Sequence, residues 1–328
     1  MIRIGLAGAG HLGKIHMQQW LQVPGATFIG FYDPDDAAAA SAIEQYGTKR
    51  FESIDELIAA VDALDIVTTT VAHFDIARAA LLQGKHIFIE KPLAHTLEEA
   101  REIVKLVGEA RVKCQVGHVE RYNPAFLALG NQPLQPMFIE AHRLAQFNPR
   151  GTDVSVILDL MIHDIDVVLH LVQSPVRRIS ASGVSVMSES ADIANARIEF
   201  DNGCVANLTS SRISLKKMRK MRLFQRDAYI GIDFLEKKTE IIRLQEEGAA
   251  AGMLDFPIEM GNGQKKVLSM QMPEVAPTNA IHAELSEFVQ TIVQDKPVRV
   301  SVHDGYNAMD IAHQILKKMS AHHELHNV

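Results

Sequence analysis

Three side chains of this sequence are suited to proton transfer. Lys91 lies two residues beyond a predicted strand at residues 86–89, and Asp159 and His163 lie four residues apart on a predicted helix. Histidine has an ordinary pKa near neutral pH, so we expect His163 to act as a base. Lys91 would then donate a hydrogen bond to the oxygen that loses its proton, and Asp159 would orient the pair; the alternative is that Lys91 and His163 exchange these roles. The alternative interpretations are a surface lysine and a histidine packed in a core.

A metal site is the other chemistry that this helix could support. Asp159, His163 and Asp166 follow the spacing i, i+4 and i+7, which places ligand-type side chains on one side of a helix. No further His or Cys ligand is recognisable nearby in the sequence. We therefore expect no metal.

A glycine pattern near the start of the chain indicates a dinucleotide site. Gly8-Ala9-Gly10-His11-Leu12-Gly13 lies between an apolar run, residues 2–7, and a helix-compatible stretch, residues 14–21. In such a turn the first glycine allows the tight bend, and the second lets backbone approach a pyrophosphate. The third lets the helix pack closely on the strand, so that its N-terminus faces the phosphates.

An aspartate after the second predicted strand indicates which dinucleotide binds. Asp33 ends the apolar run 27–32, and 33 − 13 = 20 residues separate it from Gly13. A carboxylate at this point accepts hydrogen bonds from the ribose hydroxyls and repels a 2′-phosphate. No arginine follows immediately, so the pattern favours NAD over NADP. The alternative is a turn or cap residue before Pro34.

The elements that would position these residues alternate between strand and helix. Predicted strands at 2–7, 27–32, 63–68, 86–89 and 113–116 are separated by helices, three of them at 14–21, 74–83 and 97–108. This alternation predicts a doubly wound parallel sheet, a Rossmann fold, over a dinucleotide-binding domain at residues 1–121. Ligands bind beyond the carboxyl ends of such strands. The further cofactor candidates there are Thr69, Thr70, His73, Glu90, Lys91 and His118.

Residues 122–328 follow a different pattern and are predicted to form an α+β domain. A strand at 137–143 precedes the helix that carries His163, and Asp201-Asn202-Gly203 is a strong hairpin signal. These elements predict an open, mainly antiparallel sheet. A basic run at residues 216–222 is either a solvated strand edge or a pocket for a diphosphate.

Composition limits the possible partners and location. The net charge of −7 argues against general binding to nucleic acid or anionic membranes. Cys114 and Cys204 lie in apolar contexts and are expected to be buried free thiols. A strand begins at the first residues, so we expect no signal peptide and a cytoplasmic protein.

Five segments together resemble the glucose–fructose oxidoreductase/inositol dehydrogenase (Gfo/Idh/MocA) family. They are Gly8-Ala9-Gly10-His11-Leu12-Gly13, Thr69-Thr70-Val71-Ala72-His73, Glu90-Lys91-Pro92, Arg121-Tyr122-Asn123-Pro124 and Asp159-Leu160-Met161-Ile162-His163-Asp164. The resemblance implies an NAD-dependent oxidoreductase that takes hydride from a sugar hydroxyl carbon. Residues 117–125 and 159–166, which contain the last two segments, are most similar to members that oxidise C3 of UDP-N-acetylglucosamine or its uronate.

The same resemblance implies further roles. The residues that would hold the substrate are Lys91, Arg121, Tyr122, Asn123, Arg150, Asp159 and His163. A homodimer or homotetramer would form through the C-terminal sheet. Two alternative functions stay open: a dehydrogenase of a free sugar or inositol, and a dinucleotide-binding regulator without catalysis. A regulator needs the glycine turn but not the Lys91–His163 pair.

Overall fold

The computed structural model describes residues 1–148, 154–246, 252–261 and 263–326, and the chain divides into two compact units. The first unit comprises Met1–Tyr122 and Asn279–Asp310, and the second comprises Asn123–Thr278 and Ile311–Val328. The sequence-based division into 1–121 and 122–328 breaks at nearly the same point. The return of residues 279–310 to the first unit was not predicted.

The first unit has a parallel sheet at its centre. Its strands are β1 (Ile2–Ala7), β2 (Ala26–Tyr32), β3 (Ala63–Ile66), β4 (His86–Glu90) and β5 (Cys114–Gly117). They are ordered β2-β1-β3-β4-β5, and every neighbouring pair is parallel. The helices before β5 are α1 (His11–Trp20), α2 (Asp36–Tyr46), α3 (Ile54–Ala60), α4 (His73–Leu82) and α5 (Leu97–Ala110). The predicted doubly wound sheet is confirmed.

Local sequence explains where these helices begin. The Ser53 hydroxyl accepts a hydrogen bond from the Glu56 backbone, and Thr96 and Glu99 form a reciprocal capping box at the start of α5. The Asp35 side chain caps α2 in the same way. Helix α2 was not predicted, because its alanine-rich first half carries no clear apolar period.

A late helix completes the core of the first unit. Helix α8 (Ala280–Val293) buries Leu285, Phe288 and Val289 in one cluster with Leu6 and Trp20. Burying large side chains of this kind contributes about 1.5–3 kcal/mol each. This burial holds residues 279–310 in the first unit although they follow the second unit in sequence.

The second unit is built on an open sheet. Its strands are β6 (Phe138–Leu144), β7 (Val176–Val184), β8 (Ile193–Phe200), β9 (Val205–Ser211), β10 (Met218–Phe224), β11 (Ala228–Asp233), β12 (Lys238–Glu246), β13 (Leu254–Glu259) and β14 (Lys265–Gln271). Their order is β13-β14-β12-β11-β10-β6-β9-β8-β7, antiparallel except where β6 pairs with β9. The hairpin predicted at residues 201–203 joins β8 and β9. The mainly antiparallel sheet is confirmed, while β7, β13 and β14 were not predicted.

Helical segments accompany this sheet. They are α6 (Pro124–Leu127), a π-helical turn at Ile157–Met161 that runs directly into α7 (Ile162–Val172), and α9 (Val302–His326), which contributes residues to both units. Asp159 therefore lies in a π turn and His163 in the α-helix that follows. Within the described residues, no helix combines the length and the hydropathy that crossing a membrane requires.

Candidate functional site

The glycine turn between β1 and α1 has the geometry of a phosphate cradle. Gly8 has φ +101°, and a Cβ there would lie 2.7 Å from the Val67 carbonyl oxygen, so only glycine fits without strain. A Cβ on Gly13 would overlap the Gly8 carbonyl, whereas Gly10 has open space around it. Gly10 caps α1 without a side-chain hydrogen bond, which leaves backbone N–H groups available to an anion. These features fit the pyrophosphate of a dinucleotide.

Asp33 at the end of β2 faces this turn. One carboxylate oxygen accepts a hydrogen bond from the Ala9 backbone at 2.6 Å, and the other accepts from the Asp35 backbone at 2.8 Å. The second bond is the contact expected if Asp33 is a turn residue before Pro34, which was the alternative interpretation. Each carboxylate oxygen can still accept another hydrogen bond, so both interpretations are compatible with this geometry.

Sequence reasoning missed an arginine at the same place. The Arg50 guanidinium donates to the Asp33 carbonyl oxygen at 2.8 Å and forms an ion pair with Asp36 at 2.7 Å. Arg50 lies 17 residues beyond Asp33, and a bridge between Phe31 and Arg50 beside β2 brings it back. Arg50 was not predicted, because only basic residues immediately after Asp33 in the sequence were considered.

The ends of β3 and β4 place the other cofactor candidates of the first unit. Thr69 is exposed and Thr70 is half-buried, beside the glycine turn in sheet order. His73 is buried, and its two ring nitrogens lie 3.0 Å from the Pro92 carbonyl oxygen and 3.2 Å from that of Thr68. Burial lowers the pKa of His73, so the ring is neutral near pH 7. These contacts indicate that His73 joins the two loops rather than contacting a ligand itself.

Glu90 and Lys91 stand where β4 ends, and Lys91 is half-buried before a cis Lys91–Pro92 peptide bond. The Lys91 backbone N–H donates to a Glu90 carboxylate oxygen at 3.0 Å. His118, which directly follows β5, is buried. The carboxyl ends of all five parallel strands thus carry the residues predicted for cofactor binding in this unit.

A buried polar cluster behind Glu90 was not predicted. Among the described residues, His16, Glu90 and Glu284 have metal-ligand-type atoms within 4.8 Å of one another. Burial acts to lower the pKa of His16, but Asp65 and Glu90 outweigh burial and hold that pKa well above its usual value. The imidazole therefore carries both protons near pH 7 and has no lone pair for a metal ion. The charged Asp65 inside an apolar strand was the available sequence signal.

Arg121, Tyr122 and Asn123, expected to hold the substrate, all have partners within the protein. Arg121 is buried and pairs with Asp304 at 3.3 Å. Tyr122 is buried beneath the Arg299 guanidinium, whose carbon lies 5.2 Å from the ring centroid. The Asn123 amide donates to the Phe234 carbonyl oxygen, and its oxygen caps α6. These contacts support a structural function. Arg150 lies outside the described residues.

In the second unit, Asp159 and His163 lie on the π turn and the first turn of α7. Both side chains are half-buried. The neighbouring Asp164 is buried and forms a two-bond ion pair with Arg143 of β6, at 2.9 and 3.0 Å. Fully buried bidentate pairs of this kind fix the orientation of the elements that carry them. Within the described residues, Asp159, His163 and Asp166 do not form a metal-type cluster.

A basic cavity of about 290 Å³ adjoins Asp159. Its lining residues are Arg143, Leu144, Ala145, Gln146, Asn148, Asp159, Leu160, Arg212, Lys217 and Arg219. The basic run in the sequence contributes two of them, Lys217 and Arg219. Side chains alternate across a strand, so Lys220 and Arg222 of that run point elsewhere and pair with Asp233 and Glu140. The run is thus divided: Lys217 and Arg219 line this cavity, whereas the ion-paired Lys220 and Arg222 line a larger one.

A larger cavity of about 860 Å³ lies along β10, β11 and β12, and contains neither Asp159 nor His163. Apolar side chains such as Met221, Ile232 and Met272 line it together with the basic side chains of Lys220, Arg222, Lys237 and Lys238. Size alone would favour it as a ligand site. The smaller cavity holds a predicted reaction residue beside basic side chains, and we therefore assign the substrate chemistry to the smaller one.

Comparison with known proteins identifies the family of this chain. Residues 2–118 match the model of an oxidoreductase family with an NAD-binding Rossmann fold, and residues 135–229 match the GFO/IDH/MocA C-terminal domain. UDP-N-acetylglucosamine 3-dehydrogenase from Acidithiobacillus ferrooxidans is 35% identical over 298 residues, covering 90% of each chain. A solved structure of that enzyme superposes with a TM-score of 0.87, covering 98% of each chain at 32% identity.

More distant relatives include scyllo-inositol 2-dehydrogenase (NAD(+)) from Bacillus subtilis, 29% identical and covering 65% of this chain and 68% of the relative. Scyllo-inositol dehydrogenase from Lactobacillus casei, solved with bound NAD(H) and scyllo-inositol, has the same fold, with a TM-score of 0.77 at 19% identity and coverage of 98% of each chain. The full-length match and the glycine turn lead to one conclusion: the chain belongs to the Gfo/Idh/MocA family of NAD-dependent oxidoreductases.

Proposed function

We propose that this protein oxidises the C3 hydroxyl of a UDP-N-acetylglucosamine-type nucleotide sugar with NAD. The observation that carries the proposal is the similarity to UDP-N-acetylglucosamine 3-dehydrogenase over nine-tenths of both chains. The bound NAD would accept the hydride that leaves the sugar carbon. The protein's own side chains must then accept the hydroxyl proton and hold the sugar.

We assign the proton to His163 and the supporting hydrogen bond to Lys91. Oxidation of a secondary alcohol removes a hydride from carbon and a proton from oxygen, and the carbon–oxygen single bond becomes a carbonyl. His163 accepts the proton, and Lys91 donates a hydrogen bond that stabilises the negative charge developing on the oxygen. Asp159 polarises and orients His163. Arg121, Tyr122, Asn123 and Arg150 remain predicted substrate contacts, the first three with a structural function besides.

The basic cavity beside Asp159 supports a nucleotide sugar over a free sugar. A diphosphate carries two negative charges, and Arg212, Lys217 and Arg219 supply positive charge around a space of about 290 Å³. A free inositol or glucose has no group that requires this charge. The dehydrogenase of a free sugar remains the second candidate, because relatives named for inositol share the fold.

The decisive experiment measures NAD reduction with UDP-N-acetylglucosamine, its uronate, myo-inositol and glucose in parallel. We expect turnover with a nucleotide sugar. Lys91→Ala and His163→Ala should each abolish turnover, with NADH binding largely retained. Turnover of myo-inositol or glucose alone would contradict the substrate assignment, and wild-type rates in both variants would contradict the assignment of the reaction residues.

A charge variant tests the cavity separately. Lys217→Ala should raise KM for the nucleotide sugar, whereas the matched removal of a neighbouring positive charge, Lys220→Ala, should leave it unchanged because Lys220 pairs with Asp233. Equal effects of the two variants would show that the cavity does not bind the diphosphate.

We also propose that the chain forms a homodimer or homotetramer through the open sheet of the second unit. Large apolar side chains are exposed on β10 and β13, among them Phe224, Leu254 and Phe256. Such groups are normally covered in an assembly. Light scattering that gives a monomer mass at micromolar concentration would contradict this assembly.

A further inference from the structure

The cluster behind Glu90 joins the cofactor turn to the catalytic strand end through buried charges. His16 of α1, Asp65 of β3, Glu90 of β4 and Glu284 of α8 are all between 0% and 7% exposed. All four belong to the first unit. Charged side chains are rarely buried unless they are paired, so a buried group of four requires an explanation.

His16 stands between two carboxylates. Its Nδ1 lies 2.9 Å from an Asp65 oxygen, which also accepts a hydrogen bond from the Trp20 indole at 2.6 Å. Its Nε2 lies 3.4 Å from a Glu90 oxygen. Asp65 and Trp20 therefore hold the ring on one side, and the opposite nitrogen faces Glu90.

Glu90 also contacts the backbone of Lys91. Its second carboxylate oxygen accepts the Lys91 backbone N–H at 3.0 Å. On the β5 side, a Cβ at Gly117 would lie 2.5 Å from a Glu90 carboxylate oxygen, so a larger residue there would displace the carboxylate from this position. The carboxylate thus bridges the imidazole of His16 and the backbone of Lys91.

The charges of the cluster are consistent with this bridge. Burial acts to raise the pKa of Glu90, but His16 and Lys91 outweigh burial and lower it, so Glu90 is ionised. Burial and the charge of Glu90 raise the pKa of Glu284 well above its usual value, which leaves Glu284 neutral. His73 of α4 also faces Glu90 and is neutral. The positive charge of His16 is therefore the partner of Glu90 inside the unit.

We propose that His16 is a positioning residue for Lys91, acting through Glu90. The inference rests on the proposed function only in taking Lys91 as the group that contacts the sugar hydroxyl. Because His16 also lies on α1, the helix that follows the glycine turn, one side chain ties the cofactor turn to the reaction residue. Glu284 serves as the comparison residue, because it is neutral and so adds no charge beside Glu90.

The test compares His16→Gln, which removes the positive charge, with Glu284→Gln, which replaces a neutral acid by a neutral amide. Carboxyl ¹³C NMR follows the titration of Glu90 without substrate, and the missing signal of Glu90→Gln assigns it. In His16→Gln we expect the pKa of Glu90 to rise by about one unit or more, since burial is then opposed by Lys91 alone. The backbone amide signal of Lys91 should move in the same variant. Neither should change in Glu284→Gln.

Turnover supplies the functional measurement. His16→Gln should lower kcat about tenfold to a hundredfold, with the acid limb of the pH profile moved to higher pH. If His16 had only a structural role, His16→Gln would lower kcat by the same factor at every pH. Should His16→Gln not fold, Asp65→Asn removes the anchor of the ring and carries the same expectation.

The inference is overturned if the pKa of Glu90 and the Lys91 amide signal in His16→Gln and Asp65→Asn are the same as in the wild type. It is also overturned if Glu284→Gln moves both as strongly. If the wild type oxidises none of the sugars, the proposed function fails, while the NMR measurements still decide the role of His16.

Discussion

Replacing Asp33 by Asn is expected to shift cofactor preference from NAD toward NADP. The Asp33 carboxylate is held at the end of β2 by hydrogen bonds from the backbones of Ala9 and Asp35, at 2.6 and 2.8 Å. It cannot swing away from a 2′-phosphate without losing both bonds. Arg50 remains beside it, paired with Asp36, and keeps a positive charge at the same end of the sheet.

The size of the effect follows from the charge that is removed. Two unit charges 4 Å apart repel by about 1 kcal/mol in bulk water and by about 4 kcal/mol near a protein surface. Asp33 is partly exposed, and we take an intermediate value of about 2 kcal/mol, which is about 30-fold in relative affinity. Asn keeps one acceptor oxygen, so we expect a loss of about 1 kcal/mol in stability from the second hydrogen bond.

Fluorescence titration with NADH and NADPH measures the preference without any assumption about the sugar. The ratio of the two Kd values should change about 30-fold in Asp33→Asn, chiefly through tighter NADPH binding. Asp55→Asn is the matched control, because it removes the same charge from the exposed start of α3. A ratio that stays within about twofold of wild type would refute the electrostatic argument.

Three further outcomes follow from buried groups. Burial acts to raise the pKa of Asp192, but backbone N–H groups of Val186, Met187 and Ser188 at 2.6–3.0 Å outweigh it and lower the pKa to about 2. The stabilisation is thus present above the unfolded pKa and is lost as pH falls through about 2. Asp192→Asn should lower the unfolding free energy by about 1–2 kcal/mol at pH 7, and denaturant titrations should show the difference shrinking below pH 4. Gly8→Ala should weaken NADH binding more than tenfold in the same fluorescence assay, because φ +101° and the Val67 carbonyl oppose a side chain; unchanged binding would contradict the cradle. Burial raises the pKa of both Cys114 and Cys204, that of Cys204 to about 11. A thiol reagent at pH 8 should therefore label neither cysteine until denaturant is added, and rapid labelling of native protein would contradict this.

The first unit was largely predictable, because its signals are local in sequence. The strand runs and the glycine turn each depend on a few consecutive residues, and they occur where expected. The hairpin at residues 201–203 is predictable for the same reason. Helix α2 was missed because alanine fits a helix without producing an apolar period.

The basic run at residues 216–222 shows where a local pattern becomes ambiguous. The sequence allows either a solvated strand edge or an anion pocket. The strand edge is wrong, because β10 pairs with β11 on one side and with β6 on the other. Lys217 and Arg219 line the cavity beside Asp159, while Lys220 and Arg222 form ion pairs and line the larger cavity. The strand order and the pleat of the sheet decide these positions, and neither can be read from the run of residues alone.

The amino-acid sequence by itself determined the class of fold, the dinucleotide turn, NAD as the cofactor and the family, since each depends on short patterns or on whole-chain similarity. Only the tertiary structure brought Arg50 back to Asp33, returned residues 279–310 to the first unit and gathered His16, Asp65, Glu90 and Glu284 around one buried charge. These contacts join residues as far apart as 16 and 284. Packing and charge pairing over such separations act between surfaces that exist only after folding, and no local pattern encodes them.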